Sequence, residues 1–315
     1  MSSAPTGPTQ LQNSFIVREY LRPDMMPSTW CPGCGLGIIL SCIAQAVHFS
    51  GLAKDDVAMV SGIGCTGRMS GYADFNTLHT THGRAPAYAT GLKLARPELT
   101  VITVMGDGDA MSIGGNHLVH AMRRNIGLTA VVVNNSVYGL TGGQSSPTTP
   151  IGGHTTTARA GSFERPMNLE ALARAAGAAF YARATVNHSF ALTKLVERAL
   201  NVPGFAVVEV LSNCHVLYGK MNETPDAAKM MMAMDANTVR GNPTLLRRAR
   251  LPVRLTDADT PATPDSEAPP LRGVTPEARV ARGVIFERRG GVDYSRRYQR
   301  QAAERRAEAG NGAED

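Results

Sequence analysis

Five apolar runs alternate with helix-like stretches between residues 35 and 211, and this alternation constrains the fold more than any other feature. The runs are apolar throughout rather than at every second position, which is typical of strands that are covered on both faces. They cover residues 57–63, 99–105, 128–133, 178–182 and 205–211, and the helix-like stretches cover residues 35–49, 87–95, 113–124, 169–176 and 190–200. Strands and helices in this order predict a doubly wound α/β domain with a parallel sheet.

The remainder of the chain forms a short N-terminal segment and a C-terminal arm. Of the 315 residues, 43% are hydrophobic and 18% are charged, which is ordinary for a globular protein with a sizeable core. Residues 251–270 are rich in Pro, Asp and Thr, as in linkers and extended arms. We therefore predict an N-terminal segment (1–29), an α/β domain (30–226) and a C-terminal arm (227–315) that is partly extended or disordered. In the arm we expect a Met-rich helix, a short strand over 283–289, and a polar helix or a disordered end over 294–308.

Charge and hydropathy exclude two broad classes of protein. No apolar run approaches the roughly 20 residues that cross a bilayer, and the N-terminus is polar and Pro-rich, so we expect a cytoplasmic protein without membrane insertion. The formal charge is +6, but the arginines crowd into the last quarter of the chain and are interrupted by acidic residues. Because they form no single basic stripe on a folded element, no nucleic-acid partner is expected.

Four of the five cysteines have the arrangement of a metal centre. Cys31 and Cys34 form a Cys-x-x-Cys pair, and Cys65 and Cys214 each follow a predicted strand. Four thiolates suit either a structural zinc ion or an iron–sulfur cluster. Structural zinc sites usually draw their second pair from another close Cys-x-x-Cys, so the two single cysteines favour a cluster over zinc and over thiols without metal. Cys42 lies among apolar residues of a predicted helix and reads as a buried hydrophobe.

A Gly-Asp-Gly segment indicates a second cofactor. Asp107 follows one predicted strand and Asn135 follows the next, so their oxygens can reach one Mg²⁺ ion, together with the carbonyl of Val137. The flanking glycines allow the backbone to approach a diphosphate closely. This spacing is typical of a thiamine diphosphate site. Alternatively, Asp107 caps the helix that begins near residue 112 and Asn135 makes a turn.

These residues are expected to converge. Cys65, Asp107, Asn135 and Cys214 each follow the carboxyl end of a predicted strand by two or three residues. In open α/β sheets the loops at those ends meet, and ligands bind there. The thiols and the second cofactor should therefore lie side by side on one rim of the sheet.

Several motifs together resemble the β subunit of the 2-oxoacid:ferredoxin oxidoreductases. The motifs are Cys-Pro-Gly-Cys-Gly (31–35), Gly-Ile-Gly-Cys-Thr (62–66), His-Gly-Arg (82–84), Gly-Asp-Gly-Asp (106–109) and Asn-Asn-Ser-Val-Tyr-Gly-Leu-Thr-Gly-Gly-Gln-Ser-Ser-Pro-Thr (134–148). The resemblance covers residues 30–218. Gly-Asp-Gly-Asp followed by Ser-Ile-Gly-Gly-Asn-His (112–117) is most similar to the 2-oxoglutarate branch.

The resemblance implies a set of site residues. Cys31, Cys34, Cys65 and Cys214 would ligate a [4Fe-4S] cluster, and Asp107, Asn135 and the Val137 carbonyl would bind Mg²⁺. The residues implied for thiamine diphosphate are Ile63, Gly64, Cys65, Thr66, His82, Gly106, Gly108, Asp109, Gly139 and Leu140. His82 would be the one catalytic candidate, reaching the cofactor or the substrate, although His79 and His82 could equally be packed helix residues.

The resemblance also implies the reaction and the partners. The expected reaction is the coenzyme A-dependent oxidative decarboxylation of 2-oxoglutarate to succinyl-CoA and CO₂, with one-electron transfers through the cluster to ferredoxin. Thiamine diphosphate needs a carboxylate against its aminopyrimidine ring, normally from a second α/β domain, and this chain has room for only one. An α subunit should supply it, as an α2β2 heterotetramer.

Three alternatives stay open at this point. The substrate could be pyruvate or a branched-chain 2-oxoacid, since some relatives carry a lysine where this chain has Gly142. A non-redox thiamine diphosphate decarboxylase or synthase would use the Gly-Asp-Gly segment but not the four cysteines. A zinc-stabilised interaction protein would use the cysteines, with Gly-Asp-Gly as a turn.

Overall fold

The computed structural model describes residues 16–240, 280–288 and 293–311. In them the strands are β1 (Val57–Ser61), β2 (Asn76–His79), β3 (Thr100–Gly106), β4 (Thr129–Asn134), β5 (Val137–Tyr138), β6 (Gln144–Ser145), β7 (Phe180–Thr185), β8 (Ala206–Leu211), β9 (Thr238–Arg240) and β10 (Val280–Glu287). The helices are α1 (Leu36–Phe49), α2 (Met69–Tyr72), α3 (Ala85–Ala95), α4 (Gly115–Arg124), α5 (Leu169–Ala176), α6 (Ser189–Leu200), α7 (Ala227–Ala236) and α8 (Tyr294–Asn311).

Eight of these strands form one sheet with the order β2-β1-β3-β4-β8-β7-β10-β9. The five predicted strands correspond to β1, β3, β4, β7 and β8, and all of their pairings with one another are parallel. Helices α1 and α6 pack on one face of the sheet, and α3, α4 and α5 pack on the other. The predicted doubly wound α/β fold is therefore confirmed.

Among the strand boundaries that differ from the prediction, two have a clear physical reason. The predicted first strand reaches residue 63, whereas β1 ends at Ser61 because the chain turns away through Gly64, whose φ is 109°. The predicted run 178–182 stops short of β7, which continues to Thr185. Arg183 interrupts the apolar pattern, but its side chain is buried against Glu209 of β8 and the strand runs through it.

The C-terminal residues extend the sheet. Strand β10, which matches the strand expected over 283–289, pairs antiparallel with β7 and parallel with β9. Helix α8 is anchored at its start, where Asp293 Oδ1 accepts a hydrogen bond of 3.0 Å from Gly127 N. The Met-rich helix is α7. The three-part division of the chain stays a prediction, and its linker (251–270) and the polar N-terminus lie outside the described residues.

No helix in the described ranges is both long enough and apolar enough to cross a bilayer.

Candidate cofactor site

A cleft opens at the carboxyl ends of β1, β3 and β4, where the predicted site residues come together. Its lining comprises Ile63, Gly64, Cys65, Thr66, His82, Gly106, Asp107, Gly108, Asp109, Asn135, Val137, Tyr138, Gly139, Leu140 and Thr141. Every residue predicted to bind thiamine diphosphate or Mg²⁺ is among them. Sequence reasoning missed Tyr138 and Thr141, although both lie inside the motif that supplied their neighbours. A wider cleft at the opposite end of the sheet, beside α8, contains none of these residues.

Asp107 lies at the base of the cleft and is buried. Its Oδ2 accepts a hydrogen bond of 2.6 Å from Ser146 Oγ and a shorter one from Thr148 Oγ1. Burial raises the pKa of Asp107 to about 6, against the opposing effect of these two hydroxyl donors. A carboxylate that is desolvated in this way and held by hydroxyls is suited to a bound cation.

Asn135 and Val137 flank a tight turn beside Asp107. Ser136 between them has a φ of 62°, in the left-handed region, and Thr149 Oγ1 donates a hydrogen bond of 2.7 Å to the Ser136 carbonyl. Asn135 Oδ1 accepts a hydrogen bond of 3.4 Å from Val137 N. The turn brings an amide side chain and the Val137 backbone to the cleft, where their oxygens add to the hard-cation donors predicted from the sequence.

Asp109 lies across the cleft and contacts two other segments of the chain. Its Oδ1 accepts hydrogen bonds from Gly83 N at 2.7 Å and from Ile63 N at 3.4 Å, and it also pairs with His82 Nδ1. Its Oδ2 is buried and has no hydrogen-bond partner in the part of the chain that is described. Burial raises the pKa of this carboxyl, and the Gly83 amide opposes the increase.

The position of His82 favours one of its two interpretations. Its ring lines the cleft, pairs through Nδ1 with Asp109, and stands edge-on to the Tyr138 ring at 5.9 Å between centroids. His79 instead ends the edge strand β2, with Nδ1 3.4 Å from Ser70 Oγ. His82 is therefore placed to meet a ligand in the cleft, and His79 is not among the lining residues.

Gly62 packs directly against Asp109, which leads to a prediction. A Cβ atom added at Gly62 would lie 1.8 Å from Asp109 Oδ2, so Gly62→Ala must displace the carboxylate from its Gly83 and His82 partners. We expect a loss of about 1–3 kcal/mol in the free energy of unfolding and weaker binding of thiamine diphosphate. Thermal unfolding and calorimetric titration would measure both.

Gly91→Ala is the matched control for that substitution. Gly91 lies inside α3, and a Cβ atom there meets nothing within 4 Å. Alanine at this position should leave cofactor binding unchanged and raise stability by up to about 1 kcal/mol, because glycine is a poor helix former. Equal stability and equal binding of thiamine diphosphate in Gly62→Ala and Gly91→Ala would contradict the role given to Gly62.

The four predicted cysteine ligands face one another beside the cleft. Each of the six pairs among Cys31, Cys34, Cys65 and Cys214 is close enough for their charges to interact. A Cβ atom added to Gly139 would lie 3.6 Å from the Sγ atoms of both Cys65 and Cys214. Burial, with a smaller contribution from the neighbouring thiols, raises the pKa of Cys34 and of Cys65 to about 11 each. These thiols become ligands when a metal replaces their protons.

In the described ranges, no three His, Cys, Asp or Glu side chains are close enough to hold one metal ion. Cys42 stays apart in the apolar core on α1, where its Sγ donates to the Ser189 carbonyl at 3.3 Å.

Two side chains that sequence reasoning missed hold the cysteine loops together. The buried Asn213 accepts a hydrogen bond of 3.0 Å from Gly35 N and donates one of 2.9 Å to the Gly33 carbonyl. Trp30 Nε1 donates a hydrogen bond of 2.8 Å to the Cys65 carbonyl. Asn213 directly precedes Cys214, and Trp30 directly precedes Cys31, so each was adjacent to a predicted ligand.

Comparisons with known proteins place this geometry in a family. Residues 62–210 match the family described as thiamine pyrophosphate enzyme, C-terminal TPP binding domain. The 2-oxoacid:ferredoxin oxidoreductase 2 subunit beta of Aeropyrum pernix is 43% identical over 185 residues, which are 59% of this chain and 60% of that protein. The 2-oxoglutarate synthase subunit KorB of Methanothermobacter marburgensis is 46% identical over 228 residues, which are 72% of this chain and 79% of that protein. This chain is a β subunit of the 2-oxoacid:ferredoxin oxidoreductase family.

A solved structure supports the assignment of the β subunit along nearly its whole length. The 2-oxoglutarate:ferredoxin oxidoreductase of Magnetococcus marinus, with 2-oxoglutarate, coenzyme A and succinyl-CoA bound, has a TM-score of 0.70 and 29% sequence identity. The match covers 93% of the β subunit described here and 90% of that chain. The thiamine-binding family match begins directly after β1 and ends within β8, and the cleft lies within it.

The cleft of the β subunit fits thiamine diphosphate with a divalent cation. Asp107, Asn135 and the Val137 carbonyl offer oxygens only, which Mg²⁺ prefers. Gly108 leaves no room for a side chain, since a Cβ atom there would lie 2.3 Å from the Tyr138 ring. The unpartnered Oδ2 of Asp109 adds a buried acceptor for a ligand donor.

Proposed function

We propose that this chain is the β subunit of a 2-oxoglutarate:ferredoxin oxidoreductase. The complex would convert 2-oxoglutarate and coenzyme A into succinyl-CoA and CO₂ and pass the two electrons released to ferredoxin. The observation that carries the proposal is the 46% identity, over 72% of the chain, to a protein named 2-oxoglutarate synthase subunit KorB. The Magnetococcus marinus enzyme, which has the same fold, contains 2-oxoglutarate and succinyl-CoA.

In this proposal each set of residues has one task. Asp107, Asn135 and the Val137 carbonyl would bind Mg²⁺ and thereby the diphosphate. When bound, thiamine diphosphate supplies the nucleophilic carbon and the electron sink for decarboxylation. Asp109 fixes the His82 ring through Nδ1, which leaves Nε2 as the ring nitrogen available to a ligand in the cleft.

The four thiols would bind a [4Fe-4S] cluster next to the cleft. Each iron of such a cluster takes one thiolate, which suits four thiols that are all close enough for their charges to interact. Cys65 belongs to both sites, since it lines the cleft and lies against Cys214 across Gly139. With both cofactors bound, Cys65 would be the one residue that contacts both of them and would connect them for electron transfer.

The chain is proposed to work with an α subunit in an α2β2 complex. The α subunit would supply the carboxylate for the aminopyrimidine ring and much of the substrate pocket, and a ferredoxin would receive the electrons. The cytoplasmic location stays a prediction.

Gly142 has a φ of 113°, a conformation that strains any other residue, so a lysine at this position would require a different turn.

A substrate panel on the co-purified complex tests the proposal. With coenzyme A and a ferredoxin or viologen acceptor, we expect kcat/KM for 2-oxoglutarate to exceed that for pyruvate and 2-oxoisovalerate by at least about tenfold, because the site must pair a second carboxylate. Faster turnover of pyruvate would overturn the substrate assignment. Iron-free protein that decarboxylates without reducing an acceptor would overturn the redox assignment.

A further inference from the structure

A buried carboxylate at the centre of the sheet has no direct contact with the cleft. Glu209 of β8 accepts hydrogen bonds at Oε2 from Arg183 Nε, at 2.5 Å, and from the Tyr181 hydroxyl. Its Oε1 accepts a hydrogen bond of 2.9 Å from Asn134 Nδ2. A buried ion pair contributes little net stability compared with well-packed apolar residues. We therefore looked to the other contacts of Glu209 for a role besides stability.

The contact with Glu209 fixes the orientation of the Asn134 amide. Because Glu209 can only accept, the NH₂ group of Asn134 must face it. The amide oxygen then faces the other way, where Thr148 Oγ1 lies at 3.0 Å. Asn134 ends β4 one residue before the proposed Mg²⁺ ligand Asn135.

Thr148 joins this amide to the proposed cation site. Its hydroxyl carries a single proton, for which Asn134 Oδ1 and Asp107 Oδ2 are competing acceptors, and Ser146 Oγ lies 3.1 Å away. Glu209, Asn134 and Thr148 thus form a buried polar series that ends on Asp107. The series reaches Oδ2 of Asp107, which is buried and also accepts a hydrogen bond from Ser146.

We propose that Glu209 is a positioning residue for the cation-binding carboxylate of Asp107, acting through Asn134 and Thr148. The inference rests on the proposed function, because it takes Asp107 to be a Mg²⁺ ligand. Groups that orient a metal ligand change metal affinity by about 10–100-fold when they are removed. Glu209 touches no ligand itself, so its effect must pass through the Thr148 hydroxyl.

Titration with Mn²⁺ tests the proposal without relying on turnover. The complex of both subunits is depleted of cofactor, thiamine diphosphate is added back, and the EPR signal of free Mn²⁺ gives its dissociation constant. Thr148→Val keeps the shape and removes the hydroxyl, and we expect about a tenfold higher dissociation constant. Glu209→Gln lets the Asn134 amide reverse, so that its NH₂ donates to Thr148 Oγ1 and the Thr148 proton goes to Asp107 alone. We expect the dissociation constant to change by at least about threefold, and an unchanged constant would overturn the inference.

Thr103→Val is the matched control. Thr103 is buried on β3, the strand that ends in the Asp107 loop, and its hydroxyl has no partner in the described residues. The same substitution there should leave Mn²⁺ affinity unchanged. Thermal unfolding of every variant separates loss of affinity from loss of folded protein.

The double variant distinguishes a connected series from separate effects. If Glu209 acts through Thr148, adding Glu209→Gln to Thr148→Val changes the dissociation constant no further. The inference would be overturned if the fold-change of the double variant equalled the product of the two single fold-changes. It would also be overturned by normal Mn²⁺ affinity in Thr148→Val. Wild-type complex that binds Mn²⁺ equally with and without thiamine diphosphate would instead overturn the proposed cofactor site.

Discussion

Cys214→Ala is expected to remove the iron–sulfur cluster. Bound iron and acid-labile sulfide should fall from about four of each per chain to well under one, because a [4Fe-4S] cluster needs a thiolate for each iron. Reduction of ferredoxin or a viologen by 2-oxoglutarate should disappear with the cluster. Cys214 is well suited to this test, because its Sγ lies next to that of Cys65 across Gly139 and interacts with Cys31 and Cys34. Metal analysis and low-temperature EPR of anaerobically purified complex would measure the result.

Cys42→Ala is the control for the cysteine experiment. This thiol is as deeply buried as any of the four, but it lies within the apolar core on α1. The variant should keep its iron and its activity and lose only a little stability. Iron retained in Cys214→Ala would contradict the assignment of Cys214 as a cluster ligand. Zinc in place of iron in the wild type would contradict the cluster itself and favour the zinc alternative.

Asp107→Asn is expected to abolish cofactor binding. Oδ2 accepts hydrogen bonds from two hydroxyls, those of Ser146 and Thr148, so an amide NH₂ at that position would require both hydroxyls to turn from donors into acceptors. In the other orientation the NH₂ would face the cation. Both orientations are unfavourable, and the negative charge is lost as well. We expect at least about a 100-fold loss of Mg²⁺ affinity in the presence of thiamine diphosphate, and loss of turnover to background.

The control for the carboxylate experiment is a surface aspartate. Asp74 is half exposed and pairs with Lys54 at 2.6 Å. Because exposed ion pairs contribute little, Asp74→Asn should cost under about 1 kcal/mol of stability and leave turnover unchanged. Calorimetric titration with Mg²⁺ and thiamine diphosphate compares the two variants. Wild-type affinity in Asp107→Asn would place the cation elsewhere.

The central sheet could be predicted because its parallel strands are apolar on both faces. Edge and short strands could not. Strand β2 (Asn76–His79) is mostly exposed and polar, and β5 and β6 have two residues each, so neither carries a periodic pattern. The prediction for strand β7 ends too early because it stops before a charged residue, Arg183, which is buried in an ion pair with Glu209. That compensation comes from a strand 26 residues further along the chain.

The ligand residues could be predicted because they follow strand ends within short motifs. The structure brings the predicted Mg²⁺ ligands together in one cleft and the four cysteines together beside it, although their binding of Mg²⁺ and the cluster stays a prediction. Their supports could not be predicted. Ser146 reaches Asp107 across 39 positions and Glu209 reaches Asn134 across 75, and Asn213 reaches Gly35 across 178. Such hydrogen bonds depend on the folded arrangement and leave no spacing rule in the sequence.

Trp30 gives the chain a built-in optical reporter. It is the only tryptophan of the 315 residues, and its indole N–H is bonded to the Cys65 carbonyl at 2.8 Å. Indole emission depends on the polarity around the ring and is quenched by nearby absorbing groups. Fluorescence from this chain therefore originates at the boundary between the cysteine loops and the cleft, so assembly or oxidative loss of a cluster there can be followed in real time without a label.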